Sequence, residues 1–114
     1  METLKLIFPS KKYEKQILDY KKEFEIESEI MHGTAGLEKA KSLNKWFSML
    51  TNNSKEETVA EGLVPSSTYL AIRLVDNKLI GMIDIRHKLN EYLFQFGGHI
   101  GYSVRKSERR KRYA

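Results

Sequence analysis

The 114-residue chain has no cysteine, two prolines, one tryptophan and no long uninterrupted apolar stretch. Without cysteine there is no disulfide framework, no thiolate zinc site and no cysteine nucleophile. No segment approaches the roughly 20 apolar residues that cross a bilayer as a helix. The start, Met-Glu-Thr-Leu-Lys-Leu-Ile-Phe, breaks its apolar run with Lys5 and has no cleavage-site pattern, so no signal peptide is expected. A cytoplasmic location without membrane attachment is the default expectation. The three histidines, His32, His87 and His99, have no metal-ligand spacing, so no metal is expected. Neither repeats nor low-complexity tracts interrupt the chain, and its length suits one small domain with a modest core.

Charge is informative once it is located. The chain carries 20 Lys and Arg against 15 Asp and Glu, a formal net charge of +5. Residues 105 to 112 hold Arg105, Lys106, Arg109, Arg110, Lys111 and Arg112 with the single acid Glu108. Without that segment the remaining cations and anions are equal in number, so the excess sits in the tail. A basic tail can neutralise phosphates in a salt-dependent way. Only Tyr102 and Tyr113 interleave with it and no helix-turn-helix pattern precedes it, so no specific nucleic-acid recognition is expected.

The residue pattern predicts the order β-α-α-β-β-β. Leu4 to Phe8 is a short apolar run closed by Pro9-Ser10, a first strand followed by a helix start. Tyr13, Ile17, Tyr20, Phe24 and Met31 then recur at near-helical spacing, which predicts an amphipathic helix. His32-Gly33-Thr34-Ala35-Gly36 breaks it. A second helix is expected in which Leu37, Ala40, Leu43, Phe47 and Leu50 share a face, with Trp46 also at core spacing. Thr68 to Val75 and Leu79 to Arg86 are β-rich runs around Asp76-Asn77-Lys78, which predicts an antiparallel hairpin. Ile100, Tyr102 and Val104 alternate with His99, Gly101 and Ser103 on a further strand that runs into the basic tail. The expected fold class is α+β (within the broader α/β group), with a largely antiparallel sheet and two N-terminal helices.

In this order, with an Ile-Gly-x-Ile element at Ile80 to Ile83, the sequence resembles the N-terminal half of a GNAT-superfamily N-acetyltransferase. The family's acetyl-coenzyme A loop reads Arg/Gln-x-x-Gly-x-Gly/Ala, and in that register this chain has Arg109-Arg110-Lys111-Arg112-Tyr113-Ala114. The first and last positions match, and Arg112 stands where the family has its middle glycine. Such a loop presents successive backbone N–H groups to a pyrophosphate, and glycine allows close approach. A Cβ and guanidinium at Arg112 crowd that position, although arginine itself can bind phosphate bidentately.

The resemblance implies acetyl transfer from acetyl-coenzyme A to an amine of a small-molecule or peptide acceptor. It implies cofactor contacts at Ser103, Val104, Arg105, Arg109, Arg110, Lys111, Arg112, Tyr113 and Ala114, with the main chain around Ser103 and Val104 holding the acetyl carbonyl and pantetheine arm. His99 occupies the neighbourhood of the family's base glutamate. It reads either as a base or as a partly buried structural histidine, the latter being the commoner case. Asp84, Arg86, His87 and Glu91 read as solvated strand-end residues or as groups facing an acceptor. The resemblance further implies a single incomplete acyl-coenzyme A N-acyltransferase domain over residues 1–114, hence a truncated form with impaired or absent activity. The alternative is a non-catalytic, self-associating remnant or interaction module. A sheet lacking its other half would expose an edge and an apolar face including Ile100, Tyr102 or Val104, and a homodimer or larger assembly is expected through it.

Overall fold

A computed structural model of the chain describes residues 3–88 and 100–109. The elements are β1 (Leu4–Ile7), α1 (Glu14–Ile26), α2 (Leu43–Asn53), β2 (Ser66–Arg73), β3 (Lys78–Arg86) and β4 (Ile100–Val104). They confirm an α+β architecture: one four-stranded antiparallel sheet in the order β1-β2-β3-β4, with both helices between β1 and β2.

The helical stripe of α1 buries Ile17, Tyr20 and Phe24 against the sheet, and Tyr13 precedes it in a 3₁₀ turn. Met31 is also buried, but it lies beyond the helix end, because Ser28 takes a left-handed φ of 54° and turns the chain. The second helix starts later than its apolar pattern predicts. Leu37 sits in a separate 3₁₀ turn, Ala40 is extended, and the Ser42 side chain caps α2 by accepting from the Lys45 N–H. Trp46, rather than the Leu43–Phe47–Leu50 stripe, is the fully buried residue of α2, and its Nε1–H donates to the Thr34 carbonyl at 2.9 Å. Leu43, Phe47 and Leu50 pack around the core, partly exposed.

The β2–β3 hairpin forms where the sequence places it, with Asn77 at a φ of 56° in its turn. The strand bounds are shifted from the apolar runs: β2 spans Ser66–Arg73, so Leu74 and Val75 belong to the turn and are exposed, and β3 begins at Lys78. The ladder carries a β-bulge. Ala71 pairs with Gly81 and Ile72 with Leu79, so Ile80 has no opposite residue. The extra residue lets both Leu79 and Met82 face the helices, while Ile80, itself fully buried, lies under the opposite face.

The sheet therefore has two unlike faces. Leu70, Ile72, Leu79 and Met82 meet Ile17, Tyr20, Phe24 and Trp46 in the core. On the other side, cross-strand rows run Leu6–Ala71–Gly81–Val104 and Tyr69–Ile83–Tyr102. Among the described residues no helix covers them: Leu6 is 49%, Ile100 54% and Tyr102 56% exposed.

Candidate functional site

Among the described residues, sequence motif, groove and outward-facing main chain converge on β4 and the residues that follow it. The Arg105 N–H donates to the Ile80 carbonyl at 3.1 Å, which fixes the phase of the β3–β4 ladder. By the alternation of an antiparallel pair, Ser103 and Gly101 then turn their main-chain groups to β3, and Tyr102 and Val104 turn theirs to the open edge. On the face opposite the helices, reaching across the sheet from β1 to the Tyr102 and Val104 side chains of β4, lies an almost wholly apolar groove of about 360 Å³, lined also by Leu4, Leu6, Ala71, Ile80 and Ile83.

Ser103 faces the helices. Its Oγ shares a buried hydrogen bond of 2.7 Å with the Tyr20 hydroxyl. Burial pushes the Tyr20 phenol up to about 12, against the lowering effect of Ser103, the Met82 backbone and the nearby Arg105 and Arg109. Tyr20 therefore stays neutral at physiological pH and ties α1 to the back of β4. Gly33 makes a second tie. Its φ of 73° suits glycine, and a Cβ there would lie 2.4 Å from the Gly101 carbonyl oxygen and 2.5 Å from the Tyr102 Cα. The loop between the helices thus lies directly against the β4 backbone.

The described part of the basic tail is folded back onto carboxylates at the end of α1 and just beyond. Arg105 is buried: its Nε donates to Glu23 at 3.0 Å, its Nη1 donates to the Leu79 carbonyl at 3.1 Å, and its guanidinium lies 5.8 Å from the Tyr20 ring centre. Glu23 also accepts from the Ser107 N–H at 3.1 Å and from the Ser107 hydroxyl. Partial burial disfavours the Glu23 charge, but Ser107 and Arg105 outweigh it and hold the carboxyl below the usual carboxylate range. Lys106 pairs with Glu27 at 3.0 Å. Arg109 makes a bidentate pair with Glu29 at 3.0 and 2.7 Å, donates to the Val104 carbonyl at 2.9 Å and lies over the Phe24 ring. Its hydrogen bonds and charge hold Glu29 below the ordinary range. Glu108 is buried against Arg73 at 2.6 Å and Lys78 at 3.3 Å.

The residues assigned to the cofactor are thus brought together only in part. Ser103 and Val104 lie at the edge strand, one turned inward and one outward. Arg105 and Arg109 are engaged with Glu23 and Glu29. Arg110, Lys111, Arg112, Tyr113 and Ala114, the candidate base His99, and Glu91 lie outside the described residues. Asp84 is buried and accepts from the Thr68 hydroxyl at 2.9 Å. His87 is exposed and bonds Ser67 through Nε2 at 2.9 Å. Neither is a free group facing an acceptor.

Sequence reasoning placed Tyr20 on the core stripe and Gly33 in a helix break without their ties to β4, and missed Glu23, Glu27 and Glu29. A signal existed for the acids, since Glu23, Glu25, Glu27 and Glu29 recur at every second position around the end of the first helical stripe and match a cationic tail in charge. Among the described residues no cluster of His, Asp and Glu could hold a metal, and no helix is long and apolar enough to cross a membrane. No family model, curated protein or solved structure matches this chain.

Proposed function

We propose that the chain carries the β4 side of an acetyl-coenzyme A site and serves acetyl transfer to an amine, in the manner of the GNAT superfamily. The observation that carries this reading is the outward main chain of Tyr102 and Val104 beside an apolar groove. The order β-α-α-β-β-β with sheet order β1-β2-β3-β4 supports it, because that is the half of the family fold that leads to the cofactor strand.

In this reading an N–H of Tyr102 or Val104 donates to the thioester carbonyl and polarises it, while the groove takes apolar parts of the ligand. An extended pantetheine arm fits a strand edge because its amides can pair with main-chain groups as another strand would. The acceptor nitrogen attacks the thioester carbon, the C–S bond breaks, and the thiolate takes a proton. His99 remains the proposed base. The Arg109 guanidinium occupies the Val104 carbonyl, so a ligand reaching that acceptor must share it or displace Arg109.

Calorimetric titration with acetyl-coenzyme A tests the proposal. Saturable binding is expected, weakened by Val104→Pro, which removes an outward N–H without touching the β3 ladder. Absence of heat at millimolar ligand would sink it and leave the second reading, a non-catalytic self-associating module, which rests on the same edge, unpaired among the described residues.

A further inference from the structure

The two edges of the sheet are built differently. β1 is four residues long, carries Lys5 and is closed by Pro9, features that discourage another strand from pairing. β4 reads Ile-Gly-Tyr-Ser-Val, with no charge, no proline and no bulge in its ladder to β3. The cations that follow β4 would repel a like-charged molecule. Arg105, Lys106 and Arg109 are instead each matched by a carboxylate, Glu23, Glu27 and Glu29 respectively. Among the described residues, folding therefore matches each cation that follows β4 with a carboxylate, and the Arg109 guanidinium reaches the edge only at the Val104 carbonyl.

We infer that β4 is a self-recognition strand: a second copy of the chain pairs its own β4 antiparallel along this edge, about a two-fold axis at Tyr102. That register sets Tyr102 opposite Tyr102 and Ile100 opposite Val104, apolar against apolar, with no like charges facing. An isologous contact of this kind is closed and uses the same surface on both partners. The phase of the ladder makes Tyr102 a hydrogen-bonding pair, so the two copies exchange N–H and C=O there. The Val104 carbonyl accepts from Arg109 and retains a second lone pair for Ile100 of the other copy. The Tyr102 rings, 56% exposed in the single chain, lie side by side on the apolar face of the joined sheet.

The pairing rests on the edge alone and not on the acetyl-coenzyme A reading, although both use the same N–H groups. A chain that self-associates without binding acetyl-coenzyme A supports the dimer and overturns the cofactor site; a monomer that binds it does the reverse.

Because the chain has no cysteine, a single introduced thiol reports the axis directly. Across a hydrogen-bonded antiparallel pair the Cα atoms are about 5.5 Å apart, within the roughly 4.4–6.8 Å a disulfide spans. On the full chain, Tyr102→Cys should form a covalent dimer under mild oxidation. Ile26→Cys, at an exposed site on α1, should not. Sedimentation velocity should show a concentration-dependent dimer, and Tyr102→Lys should raise its dissociation constant by about tenfold or more while leaving the circular dichroism spectrum unchanged. A chain that stays monomeric throughout the micromolar range overturns the inference, as does a dimer indifferent to Tyr102→Lys or equal cross-linking of the two cysteine variants.

Discussion

The two faces of the sheet are made of similar residues and lead different lives. On the helix face, Leu70, Ile72, Leu79 and Met82 are sealed by Ile17, Tyr20, Phe24 and Trp46. On the opposite face, Leu6, Ile83, Tyr102 and Val104 line an open groove. Hydrophobic side chains on a strand do not by themselves decide which side becomes the core. A face is a core only if another element is supplied to cover it, and both described helices lie on the same side. The sealed face carries the stability, and among the described residues no helix covers the other.

The sharpest way to break this comparison is to truncate one large side chain on each face. Trp46→Ala removes a fully buried ring and its bond to Thr34, and should cost about 3–5 kcal/mol in urea unfolding. Tyr102→Ala on the open face should change the stability of the monomer by about 0.5 kcal/mol or less. Comparable losses would mean that the open face is a core after all.

The next effects probe how β4 is held from behind. Gly33→Ala places a Cβ against the backbone of Gly101 and Tyr102 at a positive φ, and should destabilise by about 2–3 kcal/mol. Amide exchange in β4 should rise with it, and unchanged protection would disprove the contact. Arg105→Ala strips a buried cation from Glu23 and from the Leu79 carbonyl, an expected loss of about 1.5–3 kcal/mol. Arg109→Ala, whose pair with Glu29 is exposed to solvent and screened by it, should cost clearly less than Arg105→Ala. Equal effects of the two arginines would contradict the difference in their burial.

The smallest effects are those of pH. The folded Glu23 carboxyl titrates below its ordinary value of 4.5, so its contribution is fully present above that value and is lost as the pH falls beneath it. Glu23→Gln should flatten this acid slope. Tyr20 has the opposite sense. Burial raises its phenol from 10.0 to about 12, so the fold favours the neutral form, and stability should decline as the pH rises from about 10 towards 12. Tyr20→Phe should remove that alkaline decline and cost about 1 kcal/mol at neutral pH through the bond lost to Ser103. An alkaline limb that persists in Tyr20→Phe must come from another group.

Much of this was legible from residue spacing. The stripe Ile17–Tyr20–Phe24 and the hairpin around Asn77 depend on neighbours a few positions apart, and local periodicity reports them well. The exposure of Ile100 and Tyr102 was expected on another ground, a sheet lacking the other half of the fold it resembles; in the structure it goes with both described helices lying on the opposite face. Other features could not be read. Leu79 to Ile83 is an unbroken run without alternation, so nothing local says that Ile80 bulges and divides its neighbours between the faces. The second helix reads as starting near Leu37 because Leu37 and Ala40 fit its period, yet Gly36 and the Ser42 cap divide that stretch into separate turns. In the candidate site, Ser103 and Val104 were legible as strand residues, but their phase relative to β3 is a property of pairing.

By itself the sequence determined the elements and their type, the neutral body with its basic tail, and the apolar, uncharged composition of β4, since each depends on residues close along the chain. The tertiary structure decided what the tail and the last strand do. Arg105, Lys106 and Arg109 find Glu23, Glu27 and Glu29 across about 80 positions of sequence. Whether a cation is free for a phosphate or already matched depends on which carboxylate folding brings beside it. Which main-chain groups reach the open edge depends in turn on a ladder whose phase is set by one hydrogen bond, from Arg105 to Ile80.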